Sequence, residues 1–384
     1  MARPSRSKSR SIFEEVGEAR PAAPAPAPAR RREGSRRAVR NWLILLWGLV
    51  ALMVVVGGLT RLTGSGLSIT EWRPLTGAIP PLSEAAWLEE FEKYRAIPQY
   101  DIVNRGMTLT EFQVIYWWEW GHRQLGRVVG VVWAVGFLWF LLAKRMPPGW
   151  TGRLLLLGVL GGVQGGIGWW MVHSGLGEGM IAVAASRLAV HLGLAFVILG
   201  LISWYIFRLA RKPAELVQAR RLGDGGIFGL GTGLVLLAFL QIVLGALVAG
   251  TGAGRAYTDW PLMHGVFFPP EALDLQPLWR NFVENTAMVQ FNHRMAGYAL
   301  LALGALTWVL AGGSRHRATR GAHDMMMAVL ALQVGLGIAT VMLGAPMELA
   351  VAHQLLGVVL WTAVLRARFL ARYPLVESSI RGRR

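Results

Sequence analysis

The sequence contains no cysteine and little charge. Without a thiol, the chain cannot form a disulfide, an iron–sulfur cluster, a thiolate zinc site, a covalent c-type heme or a cysteine nucleophile. Only 16% of its 384 residues are charged, whereas a soluble domain has about 25%. The 54% hydrophobic content, with 17 Trp and 47 Gly, is typical of helical membrane proteins. Any metal must therefore be held by His, Met or carboxylate side chains.

Eight apolar runs of about 20 residues are long enough to cross a bilayer as helices. We therefore predict an all-α integral membrane protein with eight transmembrane helices. The second run is the least hydrophobic, because four ionisable residues between positions 119 and 127 interrupt it. The runs lie near 41–59, 112–143, 154–173, 184–207, 227–250, 288–311, 324–344 and 348–370.

Lysine and arginine are distributed unevenly between alternate connecting segments. The two ends of the chain and the alternate loops between them hold 28, and the intervening segments hold eight. Cytoplasmic segments carry the excess of positive charge, so we expect both termini in the cytoplasm and a bacterial inner membrane. A mitochondrial inner membrane is the weaker alternative, because Glu14, Glu15 and Glu18 are unusual in a transit peptide. The net charge of +17 thus indicates topology and not nucleic-acid binding.

The chain repeats itself. Segments 58–81 and 249–270 share a Thr-Gly-x-Gly motif, an acidic residue followed by Trp, and a final Pro-Pro. Later His-Arg and Gln-x-Gly-x-Gly motifs also occur twice, in the same order. Each half contains four predicted spans, and an even number gives both halves the same orientation. We therefore expect two pseudo-symmetric four-helix bundles related by an axis along the membrane normal.

These features divide the chain into five regions. An Ala-Pro run at positions 21–29 favours extended chain in the N-terminal region. The predicted regions are a flexible basic cytoplasmic tail at 1–40, a first bundle at 41–210, a cytoplasmic linker at 211–222, a second bundle at 223–371 and a cytoplasmic tail at 372–384.

Four of the eight histidines lie within predicted spans at matching positions of the repeat. Each follows the start of its span by six to ten residues, which places all four about 9–15 Å deep. Two imidazoles on opposite faces of a porphyrin can hold heme iron without cysteine, whereas zinc needs three or four clustered ligands. We interpret them as two heme sites, with proton-relay or packed histidines and another metal as alternatives. The expected pairs are His122 with His191, and His293 with His353.

Glu119 distinguishes the two halves. It precedes His122 by three residues and shares its helix face, whereas the matching residue in the second half is Gln290. An ionisable group at this depth is costly and usually functional. The structural alternative is an ion pair with Arg123 or Arg127.

Other polar residues near the spans have less defined roles. His173 lies near a helix end and His264 in a loop, where contact with a heme edge or a proton path is the alternative to a purely structural role. His316 and His323 flank a short loop, where we expect a solvated surface. The arginines that come after the intramembrane histidines on the same helices are expected to contact heme propionates. Backbone carbonyls are their alternative partners. These arginines are Arg123, Arg127 and Arg294.

Several motifs resemble those of the heme A synthase family, and the similarity extends over about residues 40–370. The resemblance implies oxidation of the C8 methyl group of heme O to a formyl group, which yields heme A for cytochrome c oxidase. It implies a heme b cofactor on His293 and His353, and substrate heme O in the N-terminal half beside His122, His191 and the catalytic Glu119. The motifs lie at 60–68, at 111–123 with its Glu-Trp-Gly-His-Arg run, and at 168–172, 187–192 and 290–294.

Two departures from the family pattern affect the pocket. Some relatives carry a cysteine pair in an outer loop, and its absence here excludes a thiol-dependent electron route. His173 and Ser186 stand where we would expect a lysine and an aromatic residue, so local hydrogen bonding should differ.

Two other functions would suit paired hemes. One is a di-heme cytochrome that takes electrons from quinol, which Glu119 disfavours because electron transfer needs no acid beside one heme only. The other is a heme-handling assembly chaperone. The resemblance implies as partners the heme O synthase (protoheme farnesyltransferase), cytochrome c oxidase assembly factors, an electron-transfer protein and the lipid bilayer. No nucleic acid is expected, and a homo-oligomer is left open.

Overall fold

The computed structural model describes residues 27–375, which form eleven α-helices and no β-strand. Eight helices are long and apolar enough to cross a membrane, which confirms the predicted all-α membrane protein with eight spans. The spanning helices are α1 (Ala27–Leu62), α4 (Leu109–Leu142), α5 (Thr151–His173), α6 (Ala185–Leu209), α8 (Gly225–Thr251), α9 (Thr286–Gly312), α10 (Arg317–Met342) and α11 (Met347–Arg372), and the short ones are α2 (Glu84–Arg95), α3 (Pro98–Val103) and α7 (Pro213–Arg221).

The first helix begins earlier than its apolar run. Residues 27–40, which we assigned to a flexible tail, are helical in the structure. Arg36 donates hydrogen bonds to the carbonyl oxygens of Arg208 and Leu209 at 3.2 and 3.3 Å, and also to that of Arg211. These bonds satisfy carbonyl oxygens at the end of α6 that have no partner within the helix. They also attach the start of α1 to the end of α6. The predicted linker is also partly helical, since it contains α7; residues 1–26 and 376–384 lie outside the described part.

A capping box explains why α4 starts three residues before its apolar run. The Thr108 hydroxyl accepts a hydrogen bond from the Glu111 amide at 3.3 Å, and the Glu111 carboxylate accepts one from the Thr108 amide at 2.8 Å. Such reciprocal bonds satisfy free amides at a helix start. His122 therefore lies deeper along its helix than its counterparts lie along theirs.

The same helix pairs pack in both halves of the molecule. In the first half α1 and α5 each pack against α4 and α6, and in the second half α8 and α10 each pack against α9 and α11. The halves meet where α6 contacts α8 and α11, and where α1 contacts α11. In this last contact the Gln354 amide donates a hydrogen bond of 2.8 Å to the Val54 carbonyl.

Two long connections, 63–108 and 252–285, lie on the same side of the bundle, called here the long-loop side. Arg61 at the end of α1 reaches the Gly250 carbonyl at the end of α8 at 3.3 Å. The first connection contains α2 and α3. Phe91 and Tyr94 of α2 pack with Phe112 of α4 in a buried cluster. This connection therefore covers the first half of the bundle.

Candidate heme-binding sites

Each of the four intramembrane histidines rests against a glycine of the long helix that precedes its own. A Cβ atom added to that glycine would come within 2.9–3.2 Å of the imidazole. A side chain there would have to push the ring by a few tenths of an ångström or more, so glycine permits this close approach. The four pairs are His122 with Gly57, His191 with Gly168, His293 with Gly245, and His353 with Gly337.

Three of these glycines follow a glutamine by four residues, and the glutamine binds the histidine. The amide nitrogen of each glutamine donates to the histidine carbonyl at 3.0 Å. The same nitrogen lies 3.2–3.4 Å from the imidazole nitrogens. A hydrogen bond between neighbouring helices thus fixes the backbone of each of these three histidines at the depth of its imidazole ring. The pairs are Gln164 with His191, Gln241 with His293, and Gln333 with His353.

The fourth site has a methionine in place of the glutamine. Met53 lies four residues before Gly57, and its terminal methyl would be 3.7 Å from a Cβ added at Gly126, one turn beyond His122. Gln241 and Gln333 approach the corresponding Gly297 and Gly357 in the same way. His122 therefore lies beside a thioether where the other three histidines meet an amide.

The structure brings the histidines together in the two predicted pairs. His122 and His191 lie within electrostatic range of each other, and so do His293 and His353. Among residues 27–375, no three His, Cys, Asp or Glu side chains converge on a common point. The geometry is that of two separate two-histidine sites and not of a clustered zinc site.

Unpartnered buried atoms test whether these sites suit heme. In the described part of the chain, the buried Nδ1 atoms of His293 and His353 have no hydrogen-bond partner. Buried polar atoms are normally partnered, so these nitrogens have unused capacity. In the second half, two imidazoles that each have a free nitrogen and are seated on glycine in an apolar bundle fit the axial ligation of a flat macrocycle. The first half repeats the pairing and the glycine seats. The residues present therefore fit heme.

Glu119 is buried and fully hydrogen-bonded. Its carboxylate accepts bonds from the Ser68 hydroxyl at 2.8 Å, from the Ile69 amide at 2.9 Å, and from two Arg123 nitrogens at 3.0 and 2.6 Å. The structural alternative considered from the sequence is thus realised with Arg123. These bonds attach the first long connection to α4 one turn from His122.

The arginine after each histidine holds the long connection of its own half. Arg123 donates to the Ile69 carbonyl at 2.7 Å, and Arg294 donates to the Tyr257 carbonyl at 3.1 Å. Ile69 and Tyr257 occupy matching positions of the repeat, so the contact recurs in both halves. Arg127 similarly donates to loop carbonyls at 2.9 and 3.0 Å. All three arginines are therefore engaged with backbone carbonyls, the alternative to propionates, and Arg127 is not the partner of Glu119.

Gln290 occupies the place of Glu119 in the second half. It is buried, and its amide donates to the Tyr257 carbonyl at 3.0 Å. The Tyr257 hydroxyl in turn donates to Glu271, and burial together with this bond raises the pKa of Tyr257 to about 12. A neutral amide thus occupies, in this half, the place of the buried carboxylate in the first half.

The remaining histidines lie in different environments. His323 is buried, contrary to our expectation of a solvated position, because α10 packs against α11 there and the His323 Nδ1 bonds the Thr319 carbonyl at 2.8 Å. His316 reaches the Leu222 carbonyl at 3.1 Å. His173 is exposed on the long-loop side, next to Trp169.

His264 belongs to a tight turn in the second long connection. Its φ is +50° and that of Gly265 is +78°, and the amides of both residues donate to the Asp259 carboxylate at 2.9 and 3.0 Å. These bonds stabilise the charged form and lower the pKa of Asp259. His264 therefore belongs to an ordered turn of the loop, whereas the paired histidines lie on spanning helices.

Eight spanning helices and two pairs of glycine-seated histidines define a multi-pass membrane protein with two two-histidine sites. Residues 40–365 match the sequence model of the COX15-CtaA family, described as cytochrome oxidase assembly protein. The chain belongs to this family. It is 60% identical over 380 residues to the heme A synthase of Ruegeria pomeroyi, covering 98% of this chain and all of the relative. The corresponding protein of Ruegeria sp. strain TM1040 is 58% identical over 97% of this chain and 99% of its own.

The comparisons confirm the family resemblance noted from the motifs. A third relative, the heme A synthase of Dinoroseobacter shibae, is 59% identical over 98% of this chain and 99% of its own. Near-complete coverage in both directions means that the likeness includes both halves and both long connections. The resemblance therefore does not depend on the short histidine motifs alone.

Proposed function

We propose that this protein is a heme A synthase, which oxidises the C8 methyl group of heme O to a formyl group and supplies heme A for cytochrome c oxidase. The observation that carries the proposal is the presence of two matched histidine pairs with a buried carboxylate beside only one. Three close relatives that share nearly the whole chain bear this name. An oxidoreductase of this type needs one heme site for cofactor and one for substrate.

The second half is proposed as the cofactor site. His293 and His353 would hold heme b, whose iron supplies the redox chemistry when bound. Gln241 and Gln333 fix both ligands from neighbouring helices, which suits a group that stays in place. No carboxylate lies beside His293, because Gln290 stands at the position of Glu119.

The first half is proposed as the substrate site. His122 and His191 would hold heme O, with Glu119 as the catalytic residue near the reacting edge. The Ser68 hydroxyl donates a hydrogen bond to one carboxylate oxygen of Glu119, and Arg123 donates to the other. This arrangement supports a proton relay at the Ser68-bonded oxygen. Glu119 and Arg123 also attach the first long connection to α4.

We further propose that the repeat forms two pseudo-symmetric bundles in a bacterial inner membrane, with both termini in the cytoplasm. The lysine and arginine distribution and the matching helix pairs support this arrangement. The long-loop side would then face the periplasm, where an electron-transfer partner can reach it. Reporter fusions after residues 148 and 318 should read cytoplasmic, and fusions after 90 and 275 periplasmic. Reversed readings would contradict the orientation.

The proposed partners follow from the chemistry. The substrate must come from a heme O synthase that adds the farnesyl group to protoheme, and the product must go to cytochrome c oxidase assembly factors. The family description, cytochrome oxidase assembly protein, agrees with this place in the reaction sequence.

Pigment extraction from the purified protein tests the function. Mass spectrometry should find heme b together with heme O and either heme A or a hydroxylated intermediate. Heme b alone, at two per chain, would instead identify an electron-transfer cytochrome and overturn the proposal. A chaperone would carry heme A without any hydroxylated species and without converting added heme O.

The glycine seats provide a structural test of the ligands. In Gly337→Ala the new Cβ would lie 2.9 Å from the His353 ring, so the imidazole must move. We expect heme b per protein to fall at least about fivefold in purified samples. Gly335→Ala is the matched control on the same helix, because nothing lies within 4 Å of its Cβ position. Equal heme content in the two variants would contradict the ligand assignment.

A further inference from the structure

One contact recurs at three of the four histidine sites and is missing at the fourth. Gln164, Gln241 and Gln333 each donate to the carbonyl of a histidine on the next spanning helix. The matching residue on α1 is Met53, which has no hydrogen to donate. We infer that Met53 makes His122 the displaceable axial ligand, the one that releases when heme enters or leaves the N-terminal half.

The glutamine bond fixes both the backbone and the ring. It ties the histidine-bearing turn to the preceding helix at the depth of the imidazole, and the same amide lies within 3.4 Å of the ring. In the apolar interior of a membrane bundle such a bond is not replaced by water. Bonds that orient a ligating histidine typically strengthen metal binding by about 10- to 100-fold. Three of the four histidines therefore have a fixed position before any heme binds.

His122 lacks this restraint within the described part of the chain. No hydrogen bond joins its ring or its carbonyl to α1, and the bonds between α1 and α4 lie elsewhere along the helices. The Thr60 hydroxyl reaches the Trp118 carbonyl at a long 3.4 Å, and the Trp42 indole donates to the Val132 carbonyl at 3.0 Å. His122 lies between these two points.

The bonds that do hold this part of α4 run to the first long connection. Glu119 and Arg123, on either side of His122, both bind the backbone at Ile69. The connection and this turn of α4 can thus move together relative to α1. Met53 suits such motion, because its unbranched thioether fills space without fixing a geometry.

The difference matches the separate needs of the two halves. This inference rests on the proposed function, in which the substrate must be exchanged at every turnover and the cofactor is retained. A retained group needs two fixed ligands, and an exchanged group needs at least one that can leave. His191 keeps its glutamine, so the substrate half has one fixed and one displaceable ligand.

Heme transfer to apomyoglobin from the purified, heme-loaded protein tests the inference. The wild type should lose heme in a fast phase from the first half and a slow phase from the second. Met53→Gln installs the missing donor and should slow the fast phase about tenfold, with the slow phase unchanged. Met53→Leu, which also lacks a donor, should stay within about twofold of the wild type. An unchanged fast phase in a loaded Met53→Gln protein would overturn the inference.

The reciprocal variant keeps the test valid if Met53→Gln does not load. Gln241→Met copies the Met53 arrangement at His293 and should accelerate the slow phase about tenfold. It should also allow carbon monoxide to bind the reduced heme of the second half, because a free coordination site becomes accessible. Unchanged heme loss and no more carbon monoxide complex than in the wild type would overturn the inference. Pigment identity, measured on the wild type, separately decides the proposed function.

Discussion

His293→Ala and His353→Ala should each remove the stably bound heme b while the protein still inserts into the membrane. Each change deletes one of the two imidazoles that lie within electrostatic range of each other in the second half. Each ring is seated on a glycine, which offers no side chain as a replacement ligand. We expect at least about a tenfold loss of the reduced-minus-oxidised heme b absorbance per protein.

His173→Ala is the control for this experiment. His173 is exposed next to Trp169, and its removal should leave the heme b signal at the wild-type level. Immunodetection in the membrane fraction reports insertion. Full low-spin heme absorbance in both ligand variants would reject the assignment of the second half as the cofactor site.

Glu119→Gln should abolish turnover and retain heme b. The charge is removed from the only buried carboxylate near the paired histidines of the described chain, and general acid–base groups contribute about 10²–10⁴-fold to rates. We expect heme A per heme b in membranes to fall at least tenfold, with heme O or a hydroxylated intermediate accumulating. A wild-type ratio at normal abundance would remove Glu119 from the mechanism.

The second half shows that the fold tolerates this substitution. It carries Gln290 and Arg294 at the spacing of Glu119 and Arg123, and both side chains bind the Tyr257 carbonyl there. Glu119→Gln therefore introduces a pair that the molecule already contains. A structural role alone would leave heme A per heme b at the wild-type ratio and would lower only protein abundance, since losing one partner of a buried ion pair can cost about 3–5 kcal/mol. Glu111→Gln is the control, because Glu111 is exposed at the start of the same helix.

The spanning helices could be predicted because bilayer thickness imposes a length and a composition that single sequences display. Even the second run, interrupted by charge, is a helix in the structure. The start of α1 at Ala27 could not be predicted in this way, since residues 27–40 are polar and basic. Part of this segment is fixed by the contact of Arg36 with the end of α6, which no local pattern reveals. The burial of His323 depends in the same way on packing between α10 and α11.

The pairing of the four histidines could be predicted from the sequence, and the residues that support them could not. The four histidines stand out because polar residues are rare in apolar spans. The glutamines and Met53 act on a histidine of a different helix, so their role appears only when the helices are packed together. The spacing Gln-x-x-x-Gly on the preceding helix was the available signal. For Glu119 the sequence left two partners open, and packing selected Arg123 because the guanidinium of Arg127 is occupied by the loop.

The hydrogen bond between Gln354 and Val54 joins the two halves close to a paired histidine of each half. Gln354 follows His353 directly, and Val54 lies one turn before Gly57, the seat of His122. A displacement of α11 at His353 would therefore reach α1 one turn before the seat of His122 through this hydrogen bond, without crossing a loop. Thermodynamic linkage makes any such effect reciprocal: the factor by which an occupied second half changes heme affinity in the first is the factor by which the first changes it in the second.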